Sequence, residues 1–361
     1  MEHFEPYLNA CLKRFPILEK TGIRKFFAGP ESFTPDTNSL LGEVPEVKNF
    51  FVCCGLNSIG IASAGGVGKV TAEWMMNGGI ETDLSITCID KNYFRVVSSA
   101  ATREHDKLHI QKYLSDKVVF NDVTEVFCCF GLFGPKSRDM MVKLSKDDFT
   151  NESFKFGTAK LIKIGEIEIW AQRLSYVGEL GYELYVKSNN AKKLYSLIIM
   201  EGKNFQMSHC GMHAMDIMRM ESGFLHWGHD ISPEENQYQA GLSFAISTKK
   251  DDDFIGKKAL EKFKKLRIKN RFVMFTLKNS KPGEPLLLHD EPIYLEDKII
   301  GRSTSGNYSF NFKKNLVFGY ITTNFSNDEL KNKSLFIEVE KKKYSIELIS
   351  KPLKQTNFKK N

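Results

Sequence analysis

The sequence predicts a mixed α+β fold with mainly antiparallel sheets and helices packed on them, and three observations predict it. Asn49–Cys54 is a continuous apolar run bounded by glycine, which is typical of a buried strand. Tyr182–Val186 is rich in aromatic and β-branched residues and alternates around Glu183, as a half-buried strand does. Ala191–Met200 and Gly211–Glu221 instead carry apolar residues at helical spacing.

Composition narrows the class of protein. With 361 residues, 42% hydrophobic and 12% aromatic content, the chain has room for two or three globular domains. It contains no apolar run of about 18 residues, so we expect no membrane span. The acidic start Met1–Pro6 lacks the apolar core of a secretory signal. We therefore expect a cytoplasmic protein, or one of the mitochondrial matrix if the source is eukaryotic.

Cysteine and charge patterns suggest neither a metal site nor a nucleic-acid site. The 7 cysteines include the adjacent pairs Cys53-Cys54 and Cys128-Cys129, which we interpret as reduced thiols buried in strands. No metal-ligand spacing occurs. The net charge of +7 is scattered in lysine clusters, which we interpret as solvated faces. Attraction of a polyanionic ligand is the alternative, and no aromatic-basic motif accompanies the charge to favour nucleic acid.

Two segments carry the strongest functional information. Tyr176–Tyr185 contains Gly-Glu-Leu-Gly-Tyr-Glu-Leu, and Gly211–Ile231 combines a helix with His-Trp-Gly-His-Asp. Together they resemble the folate-binding core of the aminomethyltransferase (glycine-cleavage T-protein) family, in the form fused to dimethylglycine and sarcosine dehydrogenases. The resemblance implies the family's cloverleaf of small domains with a C-terminal β-barrel. It also implies tetrahydrofolate and a methylated glycine as small-molecule partners.

The front of the chain resembles the end of an FAD-dependent oxidoreductase domain. Ala28–Asp36 and Leu41–Pro45 carry that resemblance, and a strand, a glycine-rich turn and a helix follow. Such a turn lets backbone N–H groups approach an electron-rich ligand. The resemblance implies that this remnant faces the flavin at Gly55, Asn57, Gly60 and Gly65. Residues 1–48 contain no dinucleotide-binding Gly-x-Gly-x-x-Gly unit, so we expect that the chain does not retain FAD.

A seam follows this remnant. Glu73–Met76 resembles the last helix of the FAD domain, whereas Gly78–Leu84 resembles a strand from well inside the folate domain. Family members place a long segment between these elements, and here they abut. We interpret the seam as a large internal deletion or a splice in the gene model. The predicted domains are 1–76 (oxidoreductase remnant), 77–262 (folate-binding domain lacking its start) and 263–361 (C-terminal β-barrel).

The resemblance assigns candidate site residues. Asp83 matches an aspartate that assists one-carbon transfer, and a carboxylate there stabilises developing positive charge or accepts a proton. Glu183 matches the acidic residue that pairs with the pterin N–H groups, with Glu179 as the second candidate. The folate-binding candidates in full are Glu183, Glu179, Tyr176, His213 and Arg219.

Other interpretations of these residues stay open. Asp83 and Glu183 are equally compatible with surface carboxylates, and Tyr176, Trp227 and Tyr238 with core aromatics. His226 and His229 are spaced i, i+3 without a third ligand, so we expect no metal.

Two positions depart from the family pattern. His213 stands where many relatives have arginine, and Arg95 stands where a T-protein has a pocket tyrosine. Histidine is shorter than arginine and does not replace a permanent forked cation.

The predicted function is that of a dimethylglycine/sarcosine dehydrogenase-like protein that keeps mainly the folate-binding half. The alternative is a non-catalytic regulatory protein like the pyruvate dehydrogenase phosphatase regulatory subunit, with a protein partner or a homo-oligomer. A third possibility is a deletion product without a stable core.

Overall fold

The structure is a computed structural model that describes residues 79–246, 254, 256–266 and 268–354, and the backbone of two earlier strands. The chain divides into two compact units, Met1–Ala72 and Glu73–Asn361. In the first unit, β1 (Leu40–Glu43) pairs antiparallel with β2 (Phe51–Cys54). The predicted flavin-facing residues lie outside the described residues, namely Gly55, Asn57, Gly60 and Gly65. The domain boundaries at 76 and 262 stay predictions.

The second unit holds the other elements. Its strands are β3 (Ser85–Asp90), β4 (Tyr93–Val97), β5 (Phe127–Phe133), β6 (Ala159–Ile164), β7 (Ile167–Gln172), β8 (Gly181–Lys187), β9 (Asn270–Leu277), β10 (Pro292–Leu295), β11 (Lys298–Ser309), β12 (Lys314–Thr322), β13 (Leu335–Val339) and β14 (Lys342–Ile349). Its helices are α1 (Arg103–Tyr113), α2 (Ser137–Leu144), α3 (Ala191–Gly202), α4 (Met212–Glu221), α5 (Lys257–Lys264) and α6 (Asn327–Leu330).

A four-stranded antiparallel sheet forms the first core, in the order β5-β8-β7-β6. Tyr182, Leu184 and Val186 of β8 are fully buried on one face, where they pack with residues of α2 and α3. Because side chains alternate along a strand, Glu183 and Tyr185 lie on the opposite face. Tyr185 is also buried, so both faces of β8 are covered at this point.

A closed six-stranded barrel forms the second core, in the order β10-β11-β12-β9-β14-β13, and confirms the predicted C-terminal β-barrel. The barrel closes where β10 pairs with β13. Val273, Phe275, Val317, Ile321 and Ile337 are among the apolar residues that fill it. Closure leaves no open sheet edge, so every strand has two neighbours.

The β3–β4 hairpin forms a sheet of its own. Ile86 pairs with Val96 and Cys88 with Phe94, and all four side chains are exposed. Thr87 pairs with Arg95 on the other face, which is half-buried. The hairpin thus presents an apolar outer face to solvent and a polar inner face to the protein.

Helix α4 joins the site to the barrel. It begins one residue after the predicted start and ends at the predicted residue, Glu221. Gly223 follows with φ of +75°, a conformation that glycine adopts without strain, and a Cβ there would collide with the ring of Pro352. Ile217 and Met220 pack against Phe318 of β12. The helix is therefore fixed between the loop of the site and the barrel wall.

The prediction of buried cysteine pairs is wrong for Cys129. Cys128 is half-buried against the sheet core, whereas Cys129 is exposed. Adjacent residues of a strand face opposite sides, so a pair in one strand does not share one environment. Within the described ranges, no helix combines the length and the apolar character needed to cross a membrane.

Candidate functional site

The site begins where residues 79–84 lie against the loop that follows α4. The carbonyl oxygen of Pro233 lies 1.6 Å from the position that a Cβ on Gly79 would occupy, so only glycine permits this approach. The N–H of Ile80 then donates to the carbonyl of Glu235 at 2.9 Å. Trp227 Nε1 donates to the carbonyl of Ile80 at 3.0 Å. Three contacts therefore fix the segment that ends in Asp83.

Asp83 and His226 form a potential acid–base pair. Loss of hydration raises the pKa of the Asp83 carboxyl, and the charge of His226 opposes that rise. Loss of hydration lowers the pKa of His226, and the neighbouring charges of His229 and Arg219 lower it further. The pKa values of the two groups therefore move toward each other.

A buried ion network supports this pair from below. Arg219 is 1% exposed and uses Nε for Asp216 at 2.9 Å, Nη1 for the Phe224 carbonyl at 3.1 Å and Nη2 for Ser305 at 2.7 Å. It also donates to Asp230 through Nη1 and forms a second contact with Asp216 through Nη2. The protein itself thus occupies all five N–H groups of this guanidinium.

Asp230 accepts hydrogen bonds from both sides of the network. Its Oδ1 accepts from Thr304 at 2.5 Å and Ser305 at 2.8 Å, and its Oδ2 accepts from the backbone N–H of His226 at 3.0 Å. The network therefore joins the end of α4, the loop of His226 and strand β11. The geometry gives Arg219 a positioning role; its predicted direct contact with folate stays a prediction.

Tyr176 lies beside the same network. Its ring stacks on Phe224 with centroids 6.5 Å apart, and its hydroxyl donates to the Leu225 carbonyl at 3.5 Å. Burial raises the pKa of Tyr176 to about 12, and the charge of Arg219 opposes this rise. The charges of Asp83 and Asp230 also act on this hydroxyl. The structure therefore brings three of the predicted site residues together, namely Asp83, Tyr176 and Arg219.

Glu183 lies on the second face of the four-stranded sheet. It is half-buried, and its Oε2 accepts a hydrogen bond from the hydroxyl of Tyr185 at 2.5 Å. The Tyr185 ring, with those of Phe127 and Trp170, surrounds the Arg95 guanidinium at 5.2–5.4 Å from Cζ to each centroid. Glu183 is thus grouped with Arg95 through Tyr185.

Glu179 and His213 have different surroundings. Glu179 forms an ion pair with Lys354, the last described residue of the chain. His213 is exposed near the start of α4, and its backbone carbonyl accepts from Asn307 Nδ2 at 3.5 Å. The two remain predicted folate contacts, and no contact described here joins either to Asp83.

Sequence reasoning missed two groups of residues. The sequence presented His226 only as a candidate metal ligand, and no local pattern indicated its position beside Asp83. His105, from α1, contacts Glu81 at 3.0 Å and Asp106 at 3.1 Å, a link that no local pattern indicates. Among the described residues, no three His, Cys, Asp or Glu side chains form a potential metal site.

Three family models match the chain. The GCVT N-terminal domain matches residues 57–250, and the glycine cleavage T-protein C-terminal barrel domain matches residues 270–354. The FAD dependent oxidoreductase model matches residues 1–74. The first match covers more than half of the chain.

Curated relatives carry related names. A 4-methylaminobutanoate oxidase (formaldehyde-forming) of Paenarthrobacter nicotinovorans is 25% identical, covering 85% of this chain and 56% of the relative. Human mitochondrial dimethylglycine dehydrogenase is 29% identical, covering 79% of this chain and 32% of the relative. An aminomethyltransferase of Alkaliphilus metalliredigens is 30% identical, covering 79% and 75%. The chain thus spans about half the length of the oxidase and about a third of the length of the human dehydrogenase.

A solved structure shares the fold. The crystal structure of glycine cleavage system aminomethyltransferase T from Bartonella henselae superposes with a TM-score of 0.65 at 21% identity, covering 77% of this chain and 73% of that chain. The solved structure agrees with the two T-protein family models, and the oxidoreductase model matches the residues before them. The chain belongs to the glycine cleavage T-protein (aminomethyltransferase) family, in the group of the dimethylglycine and sarcosine dehydrogenases.

Proposed function

We propose that this chain binds tetrahydrofolate and represents the folate-linked half of a protein like the dimethylglycine and sarcosine dehydrogenases. The observation that carries the proposal is the convergence of Asp83, His226 and Tyr176 on the Arg219–Asp230 network. Tetrahydrofolate supplies amine nitrogens that accept a one-carbon unit. A carboxyl with a raised pKa beside a histidine with a lowered pKa suits the proton movement that such a transfer requires.

The donors and acceptors of the site fit a folate. Glu183 offers a half-buried carboxylate of which only Oε2 has a hydrogen-bond partner among the described residues. Two adjacent pterin N–H groups need an acceptor of this kind. Tyr176 on Phe224 offers a flat apolar surface for a heterocycle. Glu183 would therefore orient the ring, while Asp83 would hold or accept the proton.

We also propose that the chain lacks a segment that its relatives contain. The alignments with the oxidase and with human sarcosine dehydrogenase extend over 468 and 520 positions, more than the 361 residues of this chain. The outer face of the β3–β4 hairpin supports this, with Ile86 64%, Phe94 54% and Val96 39% exposed. Paired apolar residues on one sheet face are ordinarily covered by another layer.

Thermal unfolding with and without excess tetrahydrofolate tests the proposal. A ligand that binds only the native state raises the unfolding midpoint. At a ligand concentration a hundredfold above Kd, the free energy of unfolding rises by about 2.7 kcal/mol. We expect Glu183→Gln to abolish most of this shift, because an amide presents one acceptor instead of two. Glu168→Gln is the matched control and should keep the shift, since the Glu168 side chain is 63% exposed on the neighbouring strand β7. Flavin absorbance of the same sample reports whether FAD is retained, and we expect none.

An equal loss in both variants would reject Glu183 as the specific pterin contact. A cooperative transition with no shift in the unchanged protein would reject folate binding itself. That outcome would favour a regulatory protein without folate binding.

A regulatory protein is the second candidate function. The cations of the site favour it. All N–H groups of Arg219 bond to protein atoms, and the resemblance places His213 where many relatives have arginine. A mouse relative named pyruvate dehydrogenase phosphatase regulatory subunit aligns over 91% of this chain at 22% identity. Affinity capture of a stable partner would support this function, and turnover of dimethylglycine or sarcosine would reject it. Names of the mitochondrial relatives support the matrix as the compartment if the source is eukaryotic.

A further inference from the structure

The inner face of the β3–β4 hairpin carries two polar groups without a hydrogen-bond partner. The hydroxyl of Thr87 is buried and unpaired. Arg95, directly opposite it in the register, makes no hydrogen bond and no ion pair within the described part of the chain. Buried polar groups in native proteins are nearly always paired, so the Thr87 hydroxyl, with a half-buried unpaired cation opposite it, calls for a physical reason.

The aromatic rings hold Arg95 in place without using its N–H groups. Phe127, Trp170 and Tyr185 come from β5, β7 and β8, and Trp170 and Tyr185 are direct cross-strand neighbours. Contact with the ring faces stabilises the charge, while the forked N–H edge of the guanidinium stays available for an acceptor. Loss of hydration lowers the pKa of Arg95, and no carboxylate forms an ion pair that would offset this cost.

Glu183 does not fill this role. Its Oε2 accepts from the hydroxyl of Tyr185, the residue whose ring Arg95 covers, yet no ion pair joins Glu183 to Arg95. Among the described residues, an immobilised cation and an unpaired hydroxyl donor therefore lie side by side without an acceptor for either.

We propose that Arg95 and Thr87 form a binding site for the carboxylate of a small ligand. A guanidinium gives two parallel N–H donors to a carboxylate, and the Thr87 hydroxyl supplies a third. The carboxylate has two possible sources: the glutamyl tail of tetrahydrofolate, or the carboxylate of an N-methylated glycine. The inference rests on the proposed function for the first source alone.

Calorimetric titration with three probes tests the site. The probes are tetrahydrofolate, 6-methyltetrahydropterin, which has the ring without a carboxylate, and N,N-dimethylglycine, which has the carboxylate without the ring. We expect one or both carboxylate probes to bind, and Arg95→Gln to weaken that binding at least tenfold. The pterin without a carboxylate should change less than twofold. Arg103→Gln is the matched control, because this half-buried arginine is already paired with Asp122 and Glu125.

Unchanged affinity of Arg95→Gln for both carboxylate probes would overturn the inference, as would the absence of binding of both to folded protein. An equal loss for the pterin probe would also overturn it, since Arg95 would then hold the ring. Binding of dimethylglycine alone, lost in Arg95→Gln, would reject folate binding and keep this site. If Arg95→Gln does not fold, the isosteric Thr87→Val replaces it, with an expected loss of threefold or more for the carboxylate probes alone.

Discussion

At the scale of single residues, Arg219 and Asp230 show how the chain keeps charge inside its site. Both are 1% exposed, and each is surrounded by partners from three separate segments. A buried ion pair is tolerable when its remaining hydrogen-bonding capacity is filled, and costly when one partner is removed. This network explains why the loop that carries His226 has one fixed position.

Asp230→Ala should destabilise the protein by about 3–5 kcal/mol, because it leaves Arg219 buried without its main counter-charge. Urea unfolding measures the loss. Asp216→Asn is the matched control: the Asp216 side chain is 32% exposed, so solvent replaces part of the interaction. We expect the control to lose about 1 kcal/mol. Equal losses in the two variants would contradict the buried network as the source of the effect.

The sequence named residues that lie in this site, but it did not indicate their partners. The positions of Asp83 and Tyr176 followed from local motifs, and the structure brings both to one place. Ser305 is 86 residues from Arg219, and no periodicity relates the two. The pairing of Arg219 with Asp230, Thr304 and Ser305 depends on how the barrel docks on α4, and docking is not encoded in a short window of sequence.

At the scale of elements, α1 is tied to the site segment by a pH-sensitive contact. Hydrogen bonds from His105 and His109 hold the pKa of Glu81 at about 2. The bond to Glu81 raises the pKa of His105 above its ordinary value. The lowered pKa of Glu81 stabilises the fold at pH values above 4.5, the ordinary pKa of a glutamate. The raised pKa of His105 stabilises the fold at pH values below 6.5, the ordinary pKa of a histidine. The contact is therefore strongest between those two pH values and weakens as the pH rises through the folded pKa of His105.

His105→Gln should lower stability more at about pH 6 than at about pH 8. The difference should be about 0.5 kcal/mol, because both side chains are roughly a third exposed and solvent screens the pair. Denaturant unfolding at the two pH values measures it. His209→Gln is the control, since His209 pairs with the hydroxyl of Tyr195 and with no carboxylate. A larger loss at the higher pH would show that the neutral ring carries the contact.

The β3–β4 hairpin makes a second prediction at this scale. Phe94 is 54% exposed on the uncovered apolar face, so Phe94→Ser should cost less than about 0.5 kcal/mol and reduce self-association. Leu184→Ala, in the fully buried sheet core, should cost about 2–5 kcal/mol. Denaturant unfolding and light scattering measure the two effects. A loss above about 2 kcal/mol for Phe94→Ser would mean that the face is covered in solution.

Element types were easier to predict than their surroundings. The spacing predicted α4 to within one residue and α3 to within two, because amphipathic helices carry a strong local period. The exposure of Cys129 and the polar inner face of the β3–β4 hairpin were not predicted. Those depend on which layer covers a sheet, and cross-strand neighbours such as Thr87 and Arg95 become visible only once the register is known.

At the scale of the second compact unit, α4 couples the site network to the barrel. Met220 packs on the barrel strands, and the buried carboxylate of Glu221 accepts from Ser309 at 2.5 Å and Asn311 at 2.9 Å. Arg219 reaches Ser305 from the same turn of helix. Consecutive residues of α4 therefore hold the site network and the barrel together. The site thus depends on how the barrel docks, although the sequence motifs of the site lie outside the barrel.

Glu221→Ala should break this coupling. The substitution leaves Ser309 and Asn311 without their acceptor, at a cost of about 2–3 kcal/mol. Because the lost bonds hold α4 on the barrel, and the barrel and the sheet core are each internally packed, we expect calorimetry to resolve two transitions in this variant and one in the unchanged protein. Glu201→Ala is the control, since Glu201 lies near the end of α3 and its carboxylate accepts from Asn204 Nδ2 at 3.3 Å, within the same end of the helix. A single transition with a lower midpoint in Glu221→Ala would contradict this expectation. The apolar contact between Met220 and Phe318 would then be enough to keep unfolding cooperative.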